Sequence, residues 1–316
     1  RFTLLRWTSA AFTRTGNTFF TLLNLGVKGL ILARQTYKSR QYFDVFHAHD
    51  LISAMVFLMI TRRGNVTLLN AHFFVEPWEE FVAGGYVKRH DITFNILKFL
   101  FLKTLNSGKL RFMAVSQRNS NLISAMVPNQ KTPSMVLYPG IDSTFLDSST
   151  LIDTPYLINV GSLNARKNQI WLMDILAELE KMGMICPLVL VGPEDALEKE
   201  RLLEKIKHLN IQSPVHLLGQ RDQFETKRLI QAAQIYIHAA SSESFGRTLV
   251  EAMSAKTTVV ACEYEAVHEI LDDAAILKSE WTQTQTATFL KTLIENRAVR
   301  ESLQKSQYRK YLQTFT

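Results

Sequence analysis

The chain has 316 residues, 47% hydrophobic and 21% charged, and these proportions exclude a disordered or fibrous protein. With 13 Gly and 8 Pro it is neither collagen-like nor of low complexity. The net charge of +7 is uneven: residues 1–150 carry 17 basic and 8 acidic residues (+9), and residues 151–316 carry 19 and 21 (−2).

Two cysteines, Cys186 and Cys262, without CxxC or Cys/His spacing, exclude a disulfide scaffold and a zinc ribbon. They fit a reducing compartment. No apolar run reaches the roughly 18–20 residues that crossing a bilayer requires. The longest, Phe19–Ala33 and Ile92–Leu102, are interrupted by Asn24 and Lys28 and by Asn95 and Lys98. The expectation is a protein that is soluble or lies on a membrane. The first residue is Arg1 and no secretory signal is visible, so the natural start is expected further upstream. At roughly 150 residues per domain, two domains are expected.

In chain order, a long helical stretch (Thr18–Arg40) precedes a strand at Phe43–His47, a helix at Leu51–Arg62 and a strand at Val66–Asn70. A loop rich in aromatics and acids (His72–Gly85) leads to a basic amphipathic helix, Val87–Leu105. Strand Leu110–Val115, helix Arg118–Met126 and strand Met135–Leu137 follow, giving four strands where a free-standing nucleotide-type lobe usually has six or seven. The polar stretch Asp147–Pro155 reads as a linker.

The second half alternates strand and helix regularly. Tyr156–Gly161 reads as a buried strand. Asn168–Met182 reads as a helix with Leu172, Ile175, Leu176 and Leu179 on one face and Gly183 just past its end. Strands are expected at Leu188–Gly192, Val215–Gly219, Ile235–Ala239, Thr257–Ala261 and Ala275–Leu277. The helices between them are expected at Ala196–Leu209, Gln223–Ala232, Gly246–Ala255 and Ala266–Leu271, and two more helical segments close the chain. Strands about 25 residues apart with helices between them predict a parallel sheet covered on both faces, a doubly wound α/β domain.

Ligands of such sheets bind beyond the carboxyl ends of the strands. After Tyr156–Gly161 comes Ser162-Leu163-Asn164-Ala165-Arg166-Lys167-Asn168, which delivers two cations beside a helix N-terminus and suits a phosphate. On spacing alone, the alternative for Arg166 and Lys167 is ordinary surface charge. After Ile235–Ala239 comes Ser241-Ser242-Glu243-Ser244-Phe245-Gly246-Arg247-Thr248-Leu249-Val250-Glu251. Gly246 permits close backbone approach, and the helix starting there aims N–H groups and its dipole at the crevice. Glu243 and Glu251 can accept hydrogen bonds from sugar hydroxyls.

Glu243 to Glu251 resembles the E-x7-E motif of the retaining glycosyltransferases of family 4, and the resemblance covers nearly the whole chain. His47-Ala48-His49-Asp50 is similar to the family's "HaHd", Asn70-Ala71-His72 to "t-x-H" and Ala114-Val115-Ser116 to "avS". Tyr138-Pro139-Gly140-Ile141-Asp142 is similar to the "NGID" turn, Val160-Gly161-Ser162 with Lys167-Asn168 to "vGrl…KN", and His268-Glu269-Ile270 to "pEi". The seven occur in the family's order.

The resemblance implies a GT-B fold: two Rossmann-like doubly wound lobes facing a cleft, the first lobe incomplete. Residues 1–148 would form the acceptor-side lobe and residues 149–316 the nucleotide-sugar lobe. It implies transfer of a sugar, with retention, from a UDP- or GDP-sugar to a glycan or lipid-linked acceptor. His72, Lys167 and Glu243 would be catalytic. The donor would be held by Ser162, Arg166, Lys167, Glu243, Ser244, Phe245, Gly246, Arg247, Thr248 and Glu251. Lys167 and the N–H groups around Gly246 and Arg247 would hold the diphosphate, Glu243 and His72 the donor sugar, and Glu251 the ribose. No Asp-x-Asp is present, so neither a metal nor a cofactor is expected.

The sequence also departs from the family pattern. Ser162 stands where the family has Arg, and Arg166 or Arg247 is the candidate replacement. Lys256 replaces the Gly that ends the E-x7-E helix and should carry backbone strain. Glu265-Ala266 replaces a Gly-Gly pair near the donor. The family's first Gly-rich loop is absent and its final helix begins where Phe315-Thr316 ends, so a fragment clipped at both ends is expected.

Other readings stay open at this stage. His47 and His49 could form a metal pair as in amidohydrolase-like hydrolases. His72 could be a structural histidine. The protein could be a degenerate, non-catalytic relative. The +9 half suggests an anionic partner. The basic helix Val87–Leu105, with Phe94, Phe99 and Phe101 among Lys98, Lys103 and Arg89, suits an anionic membrane surface at least as well as RNA. A nucleic-acid partner is not expected, and no GxGxxG follows a strand to support an oxidoreductase. The expected location is cytoplasmic, with peripheral contact at the inner face of the membrane.

Overall fold

The computed structural model describes residues 18–39, 43–61, 65–89, 91–130, 132–141 and 155–316. The chain divides into two units, residues 1–138 and 139–316. The break falls at the Tyr138–Pro139 step, ten residues ahead of the 148/149 boundary that the polar stretch suggested. Most of that stretch, residues 147–154, lies outside the described residues.

The described part of the first unit contains α1 (Thr18–Ser39), followed by β1 (Val45–Ala48), α2 (Leu51–Ile60) and β2 (Val66–Ala71). Then come α3 (Pro77–Ala83), α4 (Ile92–Leu105), β3 (Leu110–Ala114), α5 (Gln117–Met126) and β4 (Met135–Val136). The four strands are parallel in the order β1-β2-β3-β4. Successive right-handed crossovers stepping one way place their helices on one side of a sheet. Accordingly β1 alternates exposed and buried, with Phe46 and Ala48 turned to the core. Side chains start the helices: Asp50 accepts the Ser53 N–H at 2.8 Å, and Ser116 accepts that of Asn119 at 3.0 Å.

Two expectations are corrected here. The loop His72–Gly85 contains α3, which begins at Pro77 with Glu79 and Glu80 in its first turn and buries Trp78. Pro fits the first helical position because the N–H it lacks has no intrahelical partner there. The basic helix begins at Ile92, five residues later than Val87, with Asp91 in the N-cap position.

The second unit contains β5 (Leu157–Val160), α6 (Gln169–Lys181), β6 (Leu188–Val191), α7 (Ala196–His208), β7 (Val215–Leu217) and α8 (Gln223–Ala232). It continues with β8 (Ile235–His238), α9 (Arg247–Ser254), β9 (Thr258–Cys262), α10 (Val267–Ile270) and β10 (Ile276–Leu277), and closes with α11 (Gln283–Glu295) and α12 (Arg297–Thr314). Its six strands are all parallel, in the order β10-β9-β8-β5-β6-β7. β5 and β6 each bury their residues nearly throughout, as strands covered on both faces do. Helices α6, α7 and α11 pack together, as do α8, α9 and α12.

Local chemistry matches these elements. Leu172, Ile175, Leu176 and Leu179 of α6 are buried, and Gly183 takes φ 77° after it, with the Met184 N–H donating to Leu179 O at 2.9 Å. Thr282 and Gln285 form a reciprocal capping box at the start of α11. Helix α12 reaches the sheet through Gln307: its amide donates to Val259 O at 2.6 Å, and its carbonyl accepts the Val259 N–H at 2.9 Å. Lys256 has the expected left-handed backbone, φ 58°. Among the described residues, no helix is long and apolar enough to cross a membrane.

Candidate active site

In the second unit the order of strands reverses between β5 and β8. After β5 the chain winds outward through β6 and β7, then returns to β8 and winds the other way. The carboxyl ends of β5 and β8 therefore flank the crevice of an open parallel sheet. Both loops expected to carry chemistry start there.

The loop after β5 is tightly organised. Asn164 accepts the Lys167 N–H at 3.0 Å and shapes a single 3-10 turn, Ala165–Lys167. Asn168 then takes φ 54°, a left-handed conformation that Asn tolerates, and α6 begins at Gln169. The Gln169 amide donates back to Ser162 O at 3.1 Å. At Gly161 a Cβ would lie 3.3 Å from Lys167 Cδ and Cε, so the glycine leaves room for the lysine stem across the strand end.

The loop after β8 is tied to the first. Arg166 Nη1 donates to Ser242 O at 2.9 Å, and the Ser241 N–H donates to Arg166 O at 3.1 Å. Gly246 starts α9 with φ 108° and ψ 52°, which an L side chain rarely adopts. A Cβ there would lie 2.6 Å from the Tyr264 hydroxyl. Phe245 is buried, its ring 5.8 Å from that of Phe315, and fixes the loop from below.

These constraints bring Glu243 onto both cations. Its Oε2 lies 2.9 Å from Arg166 Nη1, and its Oε1 is ion-paired with Lys167 Nζ. Burial alone would raise the Glu243 pKa, but His238, Lys167 and Arg166 outweigh it and hold the carboxyl well below the usual carboxylate range. Of the two candidates for the cation that Ser162 cannot supply, Arg166 joins this cluster. Arg247 instead pairs with Glu251 at 3.0 Å, one helical turn away on α9.

Glu251 occupies a different setting. It lines a cavity of about 140 Å³ with Gln223, Thr226, Lys227 and Ser254. Burial raises its pKa, and Arg247 and Lys227 partly offset the rise. The Tyr236 phenol has its pKa raised by burial and by both Glu251 and Glu243, and its hydroxyl donates to Val160 O at 3.3 Å. The expected set Lys167, Arg166, Glu243, Ser162, Gly246 and Phe245 is thus gathered around one strand-end crevice. Ser244 sits between Glu243 and Phe245, and Arg247 and Thr248 open α9.

His238, the last residue of β8, was not singled out in the sequence. It is 1% exposed, with Nε2 3.7 Å from Glu243 Oε1 and Nδ1 3.4 Å from the Tyr236 hydroxyl. The available signal was a histidine ending a wholly apolar strand on the ligand side of the sheet.

In the first unit, His47, His49 and His72 gather at the carboxyl ends of β1 and β2. Ring centroids are 4.4 Å apart for His47 and His49 and 5.9 Å apart for His49 and His72. Desolvation and the neighbouring imidazoles lower the pKa of His47 and of His72, so both are neutral at pH 7. Among the described residues, no group of three or more His, Cys, Asp or Glu is arranged to hold a metal ion. A cavity of about 410 Å³ opens nearby, lined by Phe74, Val75, Glu76, Glu79, Val82 and Arg89.

Solved structures share this architecture. Anabaena HepE in complex with UDP and glucose is similar at 19% identity and a TM-score of 0.72, covering 90% of this chain and 77% of that one. WaaG, a glycosyltransferase involved in lipopolysaccharide biosynthesis, is similar at 21% identity and a TM-score of 0.64, covering 78% and 70%. Sucrose-phosphate synthase from Thermosynechococcus elongatus is similar at 17% identity and a TM-score of 0.69, covering 89% and 72%. Identities this low speak for the fold. The class is that of GT-B glycosyltransferases, α/β proteins with two Rossmann-like lobes. Residues 144–310, more than half of the chain, match the family model of the group 1 glycosyl transferases, and the chain belongs to that family. A search of the curated proteins returns no match.

Proposed function

We propose that the protein transfers a sugar from a nucleotide-diphosphate donor to a glycan or lipid-linked acceptor with retention of configuration, in the manner of the family 4 enzymes. The observation that carries the reading is the pairing of Lys167 and Arg166 with Glu243 at the β5/β8 switch point. Two cations beside a helix start are suited to a diphosphate, and a carboxylate next to them is suited to sugar hydroxyls.

In the reaction the bond between the anomeric carbon and the β-phosphate oxygen breaks. The acceptor oxygen bonds to the same face of that carbon, and its proton passes to the departing phosphate. Lys167, Arg166 and the N–H groups at the start of α9 stabilise the charge that develops on the leaving group, so no metal is required. Glu251, with Lys227 beside it, takes the ribose. His72 is assigned to catalysis on the resemblance of Asn70-Ala71-His72 alone. The solved HepE structures hold UDP and UDP-glucose, which supports a uridine nucleotide as the first donor to try.

Calorimetric titration with UDP, GDP and ADP tests this reading. Saturable binding of one diphosphate is expected, and binding of none would overturn it.

A cytoplasmic, peripheral association with an anionic membrane is part of the same proposal. On α4, Ile92, Ile96 and Phe99 are spaced along one face and are 77%, 42% and 64% exposed. Lys103 continues that line, its Nζ 6.0 Å from the Phe99 ring, and the helix carries no acidic residue. Apolar side chains with lysines around them suit an anionic lipid interface. Co-sedimentation with vesicles containing phosphatidylglycerol should fall several-fold when Phe99→Glu and Lys103→Glu are combined, while thermal stability changes little. Unchanged co-sedimentation would exclude this face.

A further inference from the structure

We propose that His238 is a positioning residue for Glu243, holding the carboxylate through Nε2–H once the donor diphosphate has taken Lys167 and Arg166 from it. The inference rests on the reading of those two cations as diphosphate ligands.

Three observations carry it. His238 is buried at the end of β8, and among the described residues its Nε2 has no hydrogen-bond partner. Buried polar nitrogens without partners are uncommon and costly. That nitrogen is aimed at the site: it stands 3.7 Å from Glu243 Oε1, about half an ångström beyond a hydrogen bond. The ring cannot swing away easily, because Tyr236 and Tyr264 lie against it with centroids at 6.2 Å and 6.0 Å.

Chemistry then selects the tautomer. If Nδ1 carried the proton, the Nε2 lone pair would face a carboxylate. If Nε2 carries it, Nε2–H points at Glu243, while Nδ1 faces the Tyr236 oxygen at 3.4 Å, whose single proton is donated to Val160 O at 3.3 Å. The second arrangement is chosen at the Glu243 end, where it pairs opposite partial charges.

Glu243 is satisfied by the two cations. A diphosphate carries more negative charge than one carboxylate and draws Lys167 and Arg166 to itself, leaving Glu243 part-buried and short of donors. His238 Nε2–H is the donor already in line. Held through Oε1, the carboxylate presents Oε2 to the sugar hydroxyls. His238 touches neither the sugar nor the diphosphate in this scheme; it sets where Glu243 stands.

The test separates diphosphate from sugar. Calorimetry of the wild-type chain with UDP, GDP, ADP and their glucose conjugates identifies the preferred pair. His238→Leu, His238→Gln and His238→Met are then compared for binding and for release of the diphosphate as water takes the sugar from the nucleotide sugar. His238→Leu should bind the free diphosphate within about twofold of wild type, yet release it from the conjugate about 100-fold more slowly. His238→Gln, which keeps an N–H donor, should recover most of that loss. Wild-type release by His238→Leu, or a Gln variant no better than Leu when both melt cooperatively, would overturn the proposal. If His238→Leu does not fold, His238→Met, nearer the imidazole in length and also without an N–H, takes its place: release slowed with diphosphate affinity intact supports the role, and unchanged release refutes it. Binding of no diphosphate by the wild type would instead refute the donor site itself, and this inference with it.

Discussion

Lys167→Ala should weaken binding of the nucleotide diphosphate by about 10–100-fold and slow transfer by about 10²–10³-fold. The lysine side chain is only 15% exposed, held beside the β5 strand end by the Asn164 turn and by the space that Gly161 leaves. A charge-assisted contact in so sheltered a place is weakly screened by water and salt. The loss should be larger in transfer than in binding, because negative charge on the leaving phosphate grows as the glycosidic bond breaks. Arg166→Ala should show a smaller loss in both, since its side chain is 33% exposed and its guanidinium also donates to Ser242 O. Calorimetry and diphosphate-release assays on the two variants check the ranking; equal or absent effects would contradict the assignment.

Glu243→Gln should move the same two quantities in opposite directions. Binding of the free diphosphate should tighten by about 5–10-fold, because the incoming phosphates no longer compete with a carboxylate for Lys167 and Arg166. Transfer should fall by about 100-fold or more, because the neutral amide is a weaker acceptor for sugar hydroxyls and leaves the cations without their resting partner. A Gln variant that binds the diphosphate less tightly would contradict the view of Glu243 as occupant of the phosphate site.

The same substitution has a pH signature. The folded-state pKa of Glu243 lies below its unfolded value, so its contribution to stability is complete above the unfolded pKa of about 4.3 and fades as pH falls towards the folded one. Wild type should therefore keep its full thermal advantage over Glu243→Gln at about pH 5 and lose a part of it by about pH 3, the rest going only at still lower pH. A gap that stays constant across that range would mean the ion pairs add nothing to stability.

Much of this was legible in the residues. The strands of the second unit could be placed because each is a short apolar run between turn signals, and the helices between them carry apolar residues at helical spacing. The chemistry could be placed because both loops follow strands on the ligand side of a parallel sheet. What escaped had physical reasons. Helix α3 is seven residues long, too short for a periodic pattern, and its one clear sign was Pro77 followed by two glutamates. The start of α4 was misjudged because Lys88 and Arg89 continue its basic composition without continuing its backbone. His238 was hard to read because alternation is lost in a strand buried on both faces, so its place near the ligand-side end of the strand was the one sign that it faces the site. The partnership of Arg166 with Glu243 spans 77 residues and depends on β5 lying beside β8, which strand spacing alone does not reveal.

Gln307 has a further consequence. β10 contributes two residues, which pair with Ala261 and Cys262, and among the described residues the earlier part of β9 has no strand on that side. There the Gln307 amide meets the backbone of Val259 with one donor and one acceptor, as a residue of an adjoining strand would. A side chain from the last helix thus substitutes for a missing length of strand and denies that stretch to any other chain seeking to add itself to the sheet. It also fixes α12 in register, since a planar amide can satisfy both groups of Val259 from only one position along the helix. The closing helix is therefore a lock on the sheet that bears the site, set by a single residue almost fifty positions from the strand it completes.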